Sequence, residues 1–166
     1  MKKPVFAIVA AAMLSACAPP AAVVKDVERV RAGSFPIASA VVVPAGQSLV
    51  FVSGMGGDVI NKDAPKDKPT EAYGDTEVQT VSALAKIEAT LKGMGLSMKD
   101  VVKMQVFLVG DPGKGGKLDF AGLMKGYTKF FGTAEQPNVP ARSAMQVAAL
   151  ANPGWLVEIE VTAARK

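Results

Sequence analysis

The sequence predicts an α+β domain in which two helices gather on one face of a mixed sheet. Three observations carry that prediction. First, Pro140 to Val147 and Leu156 to Ala163 alternate polar and apolar residues with a period of two, the mark of strands with two different sides. Second, Val78, Val81, Leu84, Ile87 and Leu91 recur at helical spacing, as do Phe120, Leu123, Met124, Tyr127, Phe130 and Phe131. Third, the order strand, strand, helix, strand, helix, strand, strand suits helices segregated to one side of a sheet.

The chain opens on an address. Lys2 and Lys3 precede an apolar run from Val5 to Leu14, then small residues up to Cys17. That is the pattern of a secretory signal, shorter than the ~20 residues needed to span a bilayer. Residues 1–16 are therefore read as a signal peptide. Residues 17–34, Ala/Pro/Val-rich and then charged, are read as a tether, with a short helix over Val24–Val30 as the alternative for part of it. Residues 35–166 are long enough for one domain with a sizeable core.

Within that domain, Ser39–Val43 and Leu49–Ser53 flank Pro44-Ala45-Gly46-Gln47 and read as a hairpin. Gly54, Gly56 and Gly57 permit a turn, and Asp58–Glu71 is a polar, Pro-broken loop. Thr76-Glu77-Val78-Gln79 has the form of a capping box opening the first helix, which ends at Gly93 or Gly95. Val101–Val109 is a strand. Asp119 caps the second helix, whose aromatic stripe reads as core, and Gly132 closes it. Asp111–Lys117 lacks the Gly-x-x-x-x-Gly-Lys-Ser/Thr register of a phosphate loop and reads as a connection.

Composition narrows the chemistry. The chain has no histidine, which excludes a Ser-His-Asp triad and any His-containing metal site. Its one cysteine is Cys17, so neither a disulfide nor a catalytic thiol is expected in the domain. No metal or cofactor is expected. Lys2 and Lys3 account for two of the +4 formal charges, and Lys62, Lys66 and Lys68 are diluted by aspartates. Nucleic-acid binding gains no support from this balance. The candidates that remain are Arg142 and Glu158. If their two strands pair through the Val-rich sides, both project from one sheet face, and a guanidinium beside a carboxylate can clamp a small carboxylate and position water. On strand spacing alone, a lone Arg or Glu is more often a solvated face or a surface ion pair than a functional group.

The run Pro140-Ala141-Arg142-Ser143, followed by Glu158-Ile159-Glu160 and a short basic C-terminus, resembles the RidA/YjgF family of imine and enamine deaminases. Phe51-Val52-Ser53-Gly54, Gln79-Thr80, Asp100-Val101-Val102-Lys103 and the Tyr127-x-x-Phe130-Phe131 helix extend the resemblance from about Phe35 to the end. Leu14-Ser15-Ala16-Cys17 resembles the bacterial lipobox, in which Cys17 carries the lipid. Ala18 rather than Asp after it resembles outer-membrane sorting, facing the periplasm.

The resemblance implies a RidA-like (chorismate-mutase-like) fold, a homotrimer with sites between subunits, and hydrolysis of 2-imino acids. Arg142 would hold the substrate carboxylate and Glu158 would position water, with Ser53, Gly54, Ile37, Met124 and Ala144 lining the pocket. Three positions depart from the pattern. Ile37 stands where members often have Tyr, Met124 where they often have Asn, and Ala144 where they often have Cys. These replacements imply a preference for bulkier or more apolar ligands. The alternative reading is a non-catalytic envelope lipoprotein that binds keto-acid-like anions.

Overall fold

The computed structural model describes residues 25–166. The signal peptide, Cys17 and the first part of the tether lie outside the described residues. Six strands form one sheet: β1 (Glu28–Arg31), β2 (Ala38–Val42), β3 (Ser48–Met55), β4 (Val101–Val109), β5 (Ala141–Val147) and β6 (Val157–Arg165). Two helices, α1 (Thr76–Gly93) and α2 (Phe120–Tyr127), complete the α+β architecture.

The strand order is β1-β2-β5-β4-β6-β3. β4 is central, parallel to β5 and antiparallel to β6. This corrects the expected hairpin between the second and third strands. β2 pairs antiparallel with β1 and touches β5 through Ala38 and Ala141, so both its edges are taken. β3 instead runs antiparallel to β6, matching Val50 to Ala163 and Val52 to Val161, which puts its valines on the buried side.

A second correction concerns Glu28–Arg31, expected as tether or helix and found as strand β1. Both of its arginines are tied to backbone carbonyls, Arg29 half-buried and Arg31 exposed. Arg29 Nη2 donates to the carbonyls of Lys99 (3.0 Å) and Val101 (3.3 Å), and Arg31 Nη1 donates to that of Pro137 (3.0 Å).

The core lies between the sheet and the helices. Met104, Val106 and Leu108 of β4 and Val157, Ile159 and Val161 of β6 meet Leu84, Ile87 and Leu91 of α1 and Leu123 and Tyr127 of α2. Each such Leu or Ile removed from water contributes roughly 1.5–3 kcal/mol. The helices approach closely because Gly122 and Gly126 stand against Thr76 and Thr80. A Cβ on Gly126 would lie 2.7 Å from the Thr80 side chain.

Both helix starts are capped by aspartate. Asp119 accepts from the Gly122 amide at 3.0 Å, as the sequence indicates, and Asp75 accepts from the Val78 amide at 2.9 Å. The expected Thr76–Gln79 capping box is thereby corrected. Gln79 is fully buried, donates to the carbonyls of Gly74 (2.9 Å) and Gly154 (3.1 Å), and accepts from the Leu156 amide (2.9 Å). It ties the helix start to the strand that carries Glu158. At the far end of α1, the Leu96 amide reaches the Leu91 carbonyl at 2.9 Å and Gly95 takes a φ of 73°, a Schellman ending.

Candidate functional site

Ladder register decides where the candidate residues point. Met104 faces the helices, and Arg142 sits opposite it on β5, so Arg142 also points to the helix side. Glu158 pairs with Phe107, whose neighbours in β4, Met104, Val106 and Leu108, are the core residues. Glu158 therefore points to the open side. Because β4 separates β5 from β6, Arg142 and Glu158 project from opposite faces of the sheet. This corrects the expectation of a shared face. Ala144 and Gln146 go with Arg142, while Glu160 goes with Glu158.

On the helix side, Arg142 is enclosed by an aromatic and thioether box. Its guanidinium carbon lies 4.3 Å from the Tyr127 ring centroid, 5.7 Å from that of Phe35 and 5.9 Å from that of Phe120. Phe35 and Phe120 stack on each other, with centroids 6.4 Å apart and planes 11° from parallel. Nη2 donates to Met124 Sδ at 3.2 Å, a weak acceptor, and Nη1 is buried with no hydrogen-bond partner among the described residues. Burial pushes the guanidinium below its ordinary pKa, an effect partly offset by Tyr127. Tyr127 is shifted upward, first by burial, against the opposing pull of Arg142 and Arg31.

The box has a clear local origin. Asp119 starts α2 immediately before Phe120, and Phe120, Met124 and Tyr127 then recur at spacings of four and three, which stacks them along one side of the helix. Tyr127 also donates from its hydroxyl to the Pro36 carbonyl at 2.8 Å, which fixes the segment carrying Phe35 and half-buried Ile37. A cation held among rings with only a thioether beside it lacks the hydrogen bonds that usually offset desolvation. An incoming carboxylate would supply them, two at once through the guanidinium fork.

The open side holds the second group. Gly54 abuts Glu158, and a Cβ on Gly54 would overlap the Glu158 carboxylate. Close packing of a carboxyl group therefore explains the glycine at that position. Ser53 beside it is exposed, and Gln105 Nε2 donates to Glu160 Oε1 at 2.7 Å on the same face. Phe51 projects from this face at 77% exposure, joined by Leu49 and Met145. Two clefts of about 240 and 250 Å³ lie here and share Phe51, Glu160, Val161 and Thr162.

The expected site is thus split within one chain. Arg142, Met124 and Ala144 stand on one side, Ser53, Gly54 and Glu158 on the other, with Ile37 at the entry to β2. Sequence reasoning missed Phe35 altogether and placed Phe120 in the core, yet both rings are about 40% exposed and wall the guanidinium. The available signal was position: Phe35 directly precedes Pro36-Ile37, and Phe120 is the first residue of α2.

Comparison with known proteins bears on this geometry. Residues 36–165 match the family model described as Endoribonuclease L-PSP. Residues 1–18 match the prokaryotic membrane lipoprotein lipid attachment site, the signature of a membrane-anchored bacterial protein. Among the described residues no helix is long and apolar enough to cross a membrane. A RutC family protein of Haemophilus influenzae is 38% identical over 96 residues, covering 58% of this chain and 68% of that protein. The structure of TdcF from E. coli with bound serine is similar at 30% identity and a TM-score of 0.55, covering 79% of this chain and 89% of that one. The Rid-family protein YyfB of Yersinia pestis, of unknown function, matches at 25% identity and a TM-score of 0.58, covering 78% and 87%.

Proposed function

The chain belongs to the RidA/YjgF family, and on that premise we propose that it is a hydrolytic deaminase of 2-imino and enamino acids. The observation that carries this reading is the half-buried Arg142 guanidinium, whose Nη1 is buried without a hydrogen-bond partner and which forms no ion pair among the described residues. Arg142 binds the substrate carboxylate and holds the iminium carbon in place. Water adds to that carbon, the C–N bond breaks, and a 2-keto acid and ammonia leave. An iminium carbon is already electrophilic, so binding and aiming a water supply most of what the reaction needs. Glu158 positions that water and takes its proton.

Because Arg142 and Glu158 lie on opposite faces, one chain does not hold both at one reaction centre. We read the working unit as a homotrimer in which Glu158 of one subunit meets Arg142 of the next. The apolar residues Phe51, Leu49 and Met145 on the open face support such an association. The serine bound to TdcF supports an amino-acid-like, carboxylate-bearing ligand. The ribonuclease description attached to the family finds less support, because the site offers one guanidinium in an apolar box rather than a basic track for phosphates. The lipid attachment match supports a location at the cell envelope, and Ala18 favours the outer membrane facing the periplasm.

The same split favours a second reading. With Glu158 turned away from Arg142, the chain could bind keto-acid-like anions without turning them over. Ammonia release separates the two. The purified protein is supplied with 2-iminopropanoate and 2-iminobutanoate generated in situ, beside Arg142→Ala. Acceleration by the parent alone supports the deaminase. No acceleration, with saturable thermal stabilisation by pyruvate, supports the binding protein. Neither response would overturn both.

A further inference from the structure

A cleft of about 510 Å³ lies away from Arg142 and Glu158, where the leader of β1, the α1–β4 connection and the end of β6 converge. Its size falls within the roughly 300–1,000 Å³ typical of small-ligand sites. Its charged lining is Asp26, Arg29, Lys99, Asp100, Arg165 and Lys166. Both carboxylates are engaged. Asp26 accepts from Lys166 Nζ at 2.7 Å, and Asp100 accepts from the amide and hydroxyl of Ser97 at 2.8 and 3.0 Å.

Arg29, Lys99 and Arg165 form no ion pair among the described residues, although the Asp100 carboxylate acts on Arg29 from nearby. Four cationic side chains against two carboxylate side chains leave the concavity positive, which raises free energy unless a further anion sits among them. Arg29 is moreover held in place by the carbonyls of Lys99 and Val101, so less side-chain freedom remains to be lost on binding.

The wall that carries Arg29 lies outside residues 36–165, the part matched by the family model. Family chemistry therefore does not account for it. Only nine residue steps separate Asp26 from Cys17, at most about 30 Å of extended chain. A cleft so close to a lipid attachment site works beside a surface of phosphate esters. We propose that this cleft binds a phosphate group, with Arg29 and Arg165 as its guanidinium ligands and Lys99 as a third cation. The inference stands independently of the deaminase reading.

The test uses the full chain in a non-ionic detergent. Inorganic phosphate and a short-chain phosphatidylglycerol are titrated separately by calorimetry, with short-chain phosphatidylcholine as the zwitterionic comparison. The expected result is saturable binding of a phosphate-bearing ligand, weakened about tenfold or more in Arg165→Gln and in Lys99→Gln, since a charge-assisted hydrogen bond carries about that factor. Arg29→Ala gives the same loss, and the other two variants cover the case in which it loosens β1. Tighter binding of phosphatidylglycerol identifies a membrane headgroup as the source. Binding of inorganic phosphate alone identifies a free phosphate or monoester. No saturable binding of either, or binding unchanged in the variants, overturns the proposal.

Discussion

The guanidinium carbon of Arg142 lies 4.3 Å from the centroid of the Tyr127 ring, and no carboxylate among the described residues pairs with it. A half-buried cation resting on a ring face is partly compensated, by about 1–2 kcal/mol for such a contact. The remainder of its desolvation is unmet until a ligand arrives.

Replacing Arg142 should therefore cost function more than stability. Arg142→Ala is expected to lower ammonia release from 2-iminopropanoate by about 100-fold, the loss of two charge-assisted hydrogen bonds. Its midpoint of thermal unfolding should move by only a few degrees, because a desolvated charge disappears together with its ring contact. Arg142→Lys should not restore activity, since an ammonium has neither the fork nor the flat face.

Arg142 and Glu158 leave the sheet on opposite sides, so a shared site requires two chains. Mixing Arg142→Ala with Glu158→Ala subunits, after dissociation and reassembly, should return about one quarter of the parent activity if each site takes one residue from each of two subunits. Each variant alone should stay far below that level, Arg142→Ala at about one hundredth of the parent. No recovery on mixing, with reassembly verified by light scattering, would remove the intersubunit site.

Two glycines should separate function from stability. A methyl group on Gly54 meets the flexible Glu158 carboxylate, which can swing aside, so Gly54→Ala should keep its unfolding midpoint and lose turnover. In Gly126→Ala the new methyl meets the Thr80 Cβ at 2.7 Å and the Glu77 carbonyl at 3.1 Å, neither of which can yield easily. That variant should lose about 1–3 kcal/mol of stability through overpacking between the helices, measurable by urea titration.

Gln79 joins three backbone groups from separate segments. Gln79→Leu leaves the Gly74 and Gly154 carbonyls and the Leu156 amide unpaired in a buried place. A loss of about 3 kcal/mol or more is expected in chemical denaturation.

Tyr127 gives the protein an alkaline limit. Burial raises its hydroxyl above the ordinary value near 10, so the folded chain keeps a proton that the unfolded chain releases. The contribution is complete below about pH 10 and is lost as pH rises further, by up to about 1.4 kcal/mol per unit. Urea titrations between pH 8 and 11 should show this slope in the parent and a shallower one in Tyr127→Phe. The variant should also be less stable at pH 8, having lost the hydrogen bond to Pro36.

Much of the fold was legible because it is local. Val101–Val109 is a strand at both ends as read, and Asp119 caps α2 because a short side-chain acceptor three residues from an amide needs no tertiary partner. Gln79 was misread for the same reason: its spacing fits a local box, but burial gives it distant backbone groups. Phe120 was misread because helical spacing groups side chains without saying what lies opposite them, here Phe35 and Arg142.

The amino-acid sequence by itself determined most of the element types, the Asp119 cap, the lipobox and the candidacy of Arg142 and Glu158, all properties of neighbours along the chain. Strand partnership was decided only in three dimensions. A period of two says which residues share a side within a strand; which side meets the helices depends on the partner and its register. Inserting β4 between β5 and β6, and pairing Met104 with Arg142 and Phe107 with Glu158, sends the guanidinium under the helices and the carboxylate to the open face.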